Sequence, residues 1–297
     1  MSGRHVRRSK PRYVLILWIA LFSILLFVST YKVIAKTTTA RQEQETFDTL
    51  AAMKEQSAQP EVTPALIPVS TSVQTAQPVP VSETDPDAPS ETSLPEPINT
   101  PEPEPTPLPE YAQLYELNPE FFGWLTIEAV GIDYPVMYSP MRPEYYLNRD
   151  FYGKYSDSGI PFIDGHCPRG GNYYLIYGHH MQNKTMFGQL PKYADKGFWA
   201  EYPMIRFDTV YEQREYIVMA AFLSRIYDKE ARGVFRYYEY FDLSDEAVFN
   251  EYVRQVKAAA LYDTGIDAEY GDELLVLSTC NYHTANGRFV VVAKRVS

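Results

Sequence analysis

From Tyr13 to Tyr31 the chain reads YVLILWIALFSILLFVSTY, with no charged residue. At 1.5 Å per residue a helix of that length matches the ~30 Å hydrocarbon core of a bilayer. Five basic residues precede the run (Arg4, Arg7, Arg8, Lys10, Arg12), and only Lys32 and Lys36 follow closely. That asymmetry predicts a cytoplasmic N-terminus and an exported remainder. A cleaved signal peptide is the rival reading; the length of the run and the poor cleavage site around Val33, Ile34 and Ala35 argue against it.

Beyond the run the pattern changes twice. Gln42 to Gln59, rich in Glu, Gln, Ala and Lys, is compatible with a juxtamembrane helix but has few apolar positions. From Pro60 to Glu110 the chain is rich in Pro, Glu, Thr, Ser and Val, without a glycine or an aromatic residue. Such a stretch buries too little apolar surface to offset its ordering entropy, and its prolines favour an extended form, so it reads as a disordered stalk.

After Tyr111 short runs rich in Val, Ile, Phe and Tyr alternate with Gly and Pro. Strands are expected from Gly123 through Met137 and at Ile160 to Ile163, Tyr173 to Tyr177, Met204 to Tyr211, Arg214 to Ile226, Glu273 to Ser278 and Phe289 to Val296. Many short strands with turn signals between them mean a barrel or a sandwich. Short helices are expected at Tyr111 to Leu117 and Thr185 to Tyr193. A longer one, Ser244 to Leu261, has Ala247, Val248, Tyr252, Val256 and Ala259 on one face, with Asp242 or Ser244 as its cap. The organisation is thus a basic segment (1–12), a transmembrane helix (13–35), an acidic Pro-rich linker (36–110) and a mostly β domain (111–297).

Composition narrows the chemistry. The formal charge of −11 includes the five N-terminal basic residues, so the rest is more acidic still, which disfavours nucleic-acid binding. Two cysteines, Cys167 and Cys280, cannot form the disulfide framework of a small secreted domain. Cys167, among Gly, Pro and Arg, reads as an exposed loop residue. Cys280 ends the apolar run ELLVLSTC, a position that presents a thiol at a rim, and Arg288 opens the next strand, RFVVV. If those strands are neighbours, a cation sits beside the thiol, favouring thiolate and steadying charge on an attacked carbonyl. Among the histidines, His179 and His180 follow the strand end YLIYG, where consecutive side chains point opposite ways. His283 is three residues from Cys280, His166 sits beside Cys167, and no spacing resembles a structural zinc site.

The run LVLSTC, the later Arg288 with FVVV, the upstream YGHHM and the apolar anchor together resemble the sortases, cysteine transpeptidases of Gram-positive surfaces. NPEFFGWLTI, IDYPVMY, EYYLNRDFYGKYSDSGIPFID and the long helix before the Cys strand are similar to class B in particular, across nearly all of 111–297. The short loop between Cys280 and Arg288 and the long acidic stalk depart from that pattern. The resemblance implies a closed β-barrel of about eight strands, with Cys280 as nucleophile, His179 rather than His180 as proton partner, and Arg288 as charge stabiliser. It implies that Thr279 and Ser278 add hydrogen bonds to the substrate, and that no metal or organic cofactor is needed. The expected substrates are secreted proteins bearing a C-terminal sorting motif, and the expected acceptor is an amine of the cell wall or a pilin. A cysteine endopeptidase and a stalked, non-enzymatic binding domain are the alternatives.

Overall fold

The computed structural model describes residues 12–58 and 105–297. Most of the basic N-terminal segment and of the Pro-rich stretch therefore lies outside the described residues. Helix α1 (Arg12–Ala58) carries the apolar run and is followed in the described chain by α2 (Pro109–Leu117), which opens on a proline whose missing N–H costs a helix nothing at its first turn.

Eight strands follow: β1 (Phe121–Ile127), β2 (Ile132–Met137), β3 (Phe162–Ile163), β4 (Tyr173–Tyr177), β5 (Met204–Thr209), β6 (Glu215–Arg225), β7 (Leu274–Cys280) and β8 (Gly287–Arg295). They close a barrel in the order β1-β2-β3-β4-β7-β8-β6-β5, with β5 returning to β1. Closure pairs every strand on both sides and leaves no open edge. Most pairs are antiparallel, but β2 runs parallel to β3, and β4 runs parallel to β7, with Tyr177 opposite Ser278. The β4–β7 pairing joins segments about a hundred residues apart, and α3 (Lys196–Glu201), β5, β6 and α4 (Glu246–Ala259) lie on the crossover between them.

Several local expectations are corrected. Thr185 to Tyr193 is not a helix; a 3-10 turn spans Leu190–Ala194 instead, and α3 begins immediately after it, capped by Asp195, whose side chain accepts from the Phe198 amide. The cap of α4 is Asp245, accepting from the Val248 amide at 3.0 Å, while Asp242 turns to the Ser244 amide. Its buried face is Phe249, Tyr252, Val253 and Val256, with Val248 turned outward. That face covers the outside of the barrel: Tyr252 meets Tyr173 of β4 edge-on at 5.4 Å, and Tyr237, in the turn before α4, packs on Phe222 of β6 at 5.9 Å.

The linker, expected to begin at 36, is helical as far as Ala58 and docked on the barrel. Phe47 and Leu50 are buried, Phe47 edge-on to Tyr134 at 5.0 Å, and the Lys54 ammonium pairs with Asp133 at 3.2 Å. The Glu43 carboxylate accepts from the Ser156 hydroxyl (2.7 Å) and the Asp157 amide (2.8 Å). A few apolar residues spaced along one side suffice to seat a polar helix; the stretch looked featureless only because its partner surface is remote in sequence.

Candidate active site

The site is built where β4 and β7 end and β8 begins. Cys280 and Arg288 are direct partners across the antiparallel β7–β8 pair, so their Cα atoms face each other at one rim. The turn joining them is tight. Asn281 donates to the Gly287 carbonyl at 2.9 Å, and a Cβ on Gly287 would lie 2.2 Å from the Asn281 carbonyl oxygen. Only glycine fits there, and the short loop thereby pins Arg288 opposite the thiol.

The parallel β4–β7 pairing brings the histidines to the same rim. The Gly178 amide donates to the Ser278 carbonyl at 3.1 Å, extending the register past Tyr177. The Thr279 hydroxyl donates to the Gly178 carbonyl at 2.7 Å, clamping the turn that precedes His179. Gly178 has no room for a side chain: a Cβ would fall 2.7 Å from the Phe187 ring.

The two histidines diverge. Nε2 of His179 lies 2.8 Å from the Leu147 carbonyl. Nδ1 of His180 lies 2.8 Å from the Cys280 carbonyl, and its ring meets Tyr282 at 5.5 Å. A carbonyl only accepts, so both nitrogens carry protons. His180 thereby anchors the end of β7, whereas His179 is held through Nε2 with Nδ1 as its other basic position. His283 folds back on Asn281 in its own loop, at 3.0 Å, and His166 pairs with Asp164 at 2.8 Å against the Phe241 ring.

Ser278 and Thr279 lie deeper than expected. Both are buried, Ser278 bonded to the Tyr237 hydroxyl at 2.7 Å and Thr279 to Gly178, so they support the rim and are not open to a substrate. Cys167 is also corrected. It is buried beneath the loop, and burial pushes its thiol up to about 12, so it stays protonated at physiological pH. Cys280 is partly exposed.

Tyr237 is the residue that the sequence reading missed. Burial pushes its phenol far above the ordinary tyrosine range, while the Ser278 hydrogen bond and the Arg288 charge pull the other way; Cys280 acts on it too. A single buried phenol thus lies within electrostatic reach of both the sulfur and the guanidinium. In the sequence it sat among four other aromatics from Phe235 to Phe241, with nothing to single it out. Tyr177, whose hydroxyl donates to Asp164 at 3.2 Å, and the Leu147 carbonyl that holds His179 were missed as well, because their partners lie 13 and 32 residues away.

A cysteine opposite an arginine at a barrel rim, with histidines on the adjoining strand end, is an arrangement for thiolate acyl transfer. The sortase domain family model matches residues 125–296, which takes in every residue of that rim. The chain belongs to the sortase family. Among relatives, it is 30% identical to sortase B of Listeria monocytogenes over 191 residues, covering 62% of this chain and 73% of that one. The X-ray structure of Clostridium perfringens sortase B superposes with a TM-score of 0.57 at 26% identity, covering 62% of this chain and 98% of the other. A sortase B solved in complex with Gly3 superposes at 0.56 with 25% identity, covering 64% and 86%. The likeness places the chain in class B, with the eight-stranded barrel of that class, and as a sortase it is a cysteine transpeptidase.

Proposed function

We propose that the chain is anchored through the apolar part of α1, N-terminus in the cytoplasm and barrel outside. There it cleaves secreted proteins after the threonine of a C-terminal sorting motif and joins them to an amine of the cell wall or of a pilin. The facing of Cys280 and Arg288 across β7–β8 carries this reading.

The Cys280 thiolate attacks the threonine carbonyl carbon, and Arg288 stabilises the oxygen as it becomes negative. The tetrahedral intermediate collapses, the carbon–nitrogen bond breaks, and His179 as imidazolium gives its proton to the departing amine. A thioester remains. An incoming amine attacks the thioester carbon, His179 takes its proton, and the thiolate leaves. One amide has replaced another, with no net oxidation and no external energy source. The Leu147 carbonyl accepts from Nε2 of His179 and so fixes the orientation of the ring. The relative solved with Gly3, which carries a free amine, supports an amine as acceptor.

Incubating the protein with sorting-motif peptides and trapping the acyl-enzyme tests the reading. Wild type forms a thioester adduct and, with added amine, an amide product; Cys280→Ala forms neither. Cleavage that survives Cys280→Ala overturns the proposal, and a product made only with water, whatever amine is present, turns it into an endopeptidase.

A further inference from the structure

α1 is one continuous helix from Arg12 to Ala58, and its two ends have different surroundings. Leu15 to Ile34 is exposed and largely apolar; Phe47 and Leu50 are buried in the barrel's core. Between them, Val33, Thr37, Ala40 and Glu43 form one wall of a cavity of about 550 Å³, whose other wall is the loop His180 to Asn183 that leaves the candidate active site. Only twelve residues separate Tyr31, the end of the charge-free run, from Glu43, which grips the 156–158 turn. At helical rise that is about 18 Å. The Pro-rich stretch, by contrast, leaves from Ala58 and returns before Glu110, and both of those residues line a single hollow on the barrel beside Lys54 and Tyr111.

We propose that α1 is a rigid arm that fixes the active-site loop at the bilayer surface, and that the Pro-rich stretch, joined to the barrel at both ends, does not set the distance. The loop faces the part of α1 nearest the apolar run across that cavity, so the membrane face and the site mouth lie on the same side of the barrel. The inference rests on the anchoring stated under Proposed function and adds to it the height and orientation of the site.

Energy transfer measures that height without relying on activity. A donor dye is placed on the exposed loop through Gln182→Cys in a full-length Cys280→Ala background, where buried Cys167 stays unlabelled. The protein is reconstituted into phosphatidylcholine–phosphatidylglycerol vesicles containing a headgroup acceptor. Replacing residues 62–102 by a short Gly-Ser linker should leave the transfer unchanged. Inserting eighteen helix-forming residues after Lys32 keeps the helix phase, lifts the barrel by about 27 Å and should abolish most of the transfer. In the parent with Cys280 intact, the insertion should leave cleavage of a soluble peptide unchanged and lower cleavage of a vesicle-tethered one at least tenfold. Transfer that responds to the linker replacement, or ignores the insertion, overturns the rigid arm. A chain that fails to float with vesicles overturns the arm and the anchoring together, which is distinguishable from an anchored chain whose loop lies far from the lipid.

Discussion

The loop that carries Cys167 and the strand end that carries Cys280 hold chemically identical thiols in unlike surroundings. Cys167 is buried, with the Tyr138 hydroxyl donating to its carbonyl at 2.7 Å, and its thiol is pushed up to about 12. Cys280 is partly open, faces Arg288 across two strands and stands beside a turn clamped by Thr279. The contrast shows that a thiol's accessibility in this fold comes from position at the rim. A loop rich in Gly and Pro can be well packed, while the end of an apolar strand can be its most accessible point.

The largest effect should come from exchanging the two roles. Cys280→Ala should remove all measurable transpeptidation in a peptide assay, while Cys167→Ala should leave kcat/KM within about twofold. Equal losses from both would break the contrast. Thiol labelling at neutral pH sharpens it, since Cys280 should react and Cys167 should not until the protein unfolds; reaction should appear at Cys167 only at pH near its raised value.

Next, Arg288→Ala should lower kcat/KM by about 10²–10³-fold, as expected when a charge aimed at a developing oxyanion is lost, and Arg288→Lys should restore only part. Gly178→Ala should cost about 1–3 kcal/mol in chemical denaturation, because the new methyl meets the Phe187 ring. It should also displace the turn holding His179 and lower kcat more than it raises KM.

A smaller effect is expected at Tyr237. Tyr237→Phe should reduce kcat/KM by about tenfold, with stability lowered by about 1 kcal/mol through the lost bond to Ser278. An unchanged kcat/KM would mean that the phenol only packs.

Smallest is the effect at Glu120, whose side chain contacts Ser139, Arg142 and Tyr146. Burial pushes the Glu120 carboxyl up, but hydrogen bonds from Arg142, Tyr146 and Ser139 outweigh it and hold the group below its ordinary value. A depressed carboxylate stabilises the fold above its unfolded pKa and loses that contribution as the pH falls through the folded one. Glu120→Gln should therefore lower the melting temperature slightly at pH 7 and flatten its decline below about pH 4.5.

Much of the site was legible because strand ends are written locally. Glycine after YLIY, a cysteine closing LVLSTC and an arginine opening RFVVV mark where side chains leave the sheet, and the residues themselves state their chemistry. What stayed hidden depended on partners elsewhere. Whether Ser278 and Thr279 faced outward could not be read, since Tyr237 lies 41 residues away and Gly178 lies 101. The polar part of α1 gave no amphipathic signal strong enough to announce that Phe47 and Leu50 would seat against Tyr134 and the barrel.

By itself, then, the sequence determined the apolar span, most of the strands and the class of the domain, and offered three candidates for acyl-transfer chemistry, because period, turn residues and side-chain type act over a few neighbours. Tertiary structure alone decided which thiol is open, which histidine is tied to the Cys280 backbone, which phenol lies under the rim, and that the helix of the apolar run continues along the barrel. Those outcomes follow from strand register and burial, which are set by pairings between segments up to a hundred residues apart and leave no local trace.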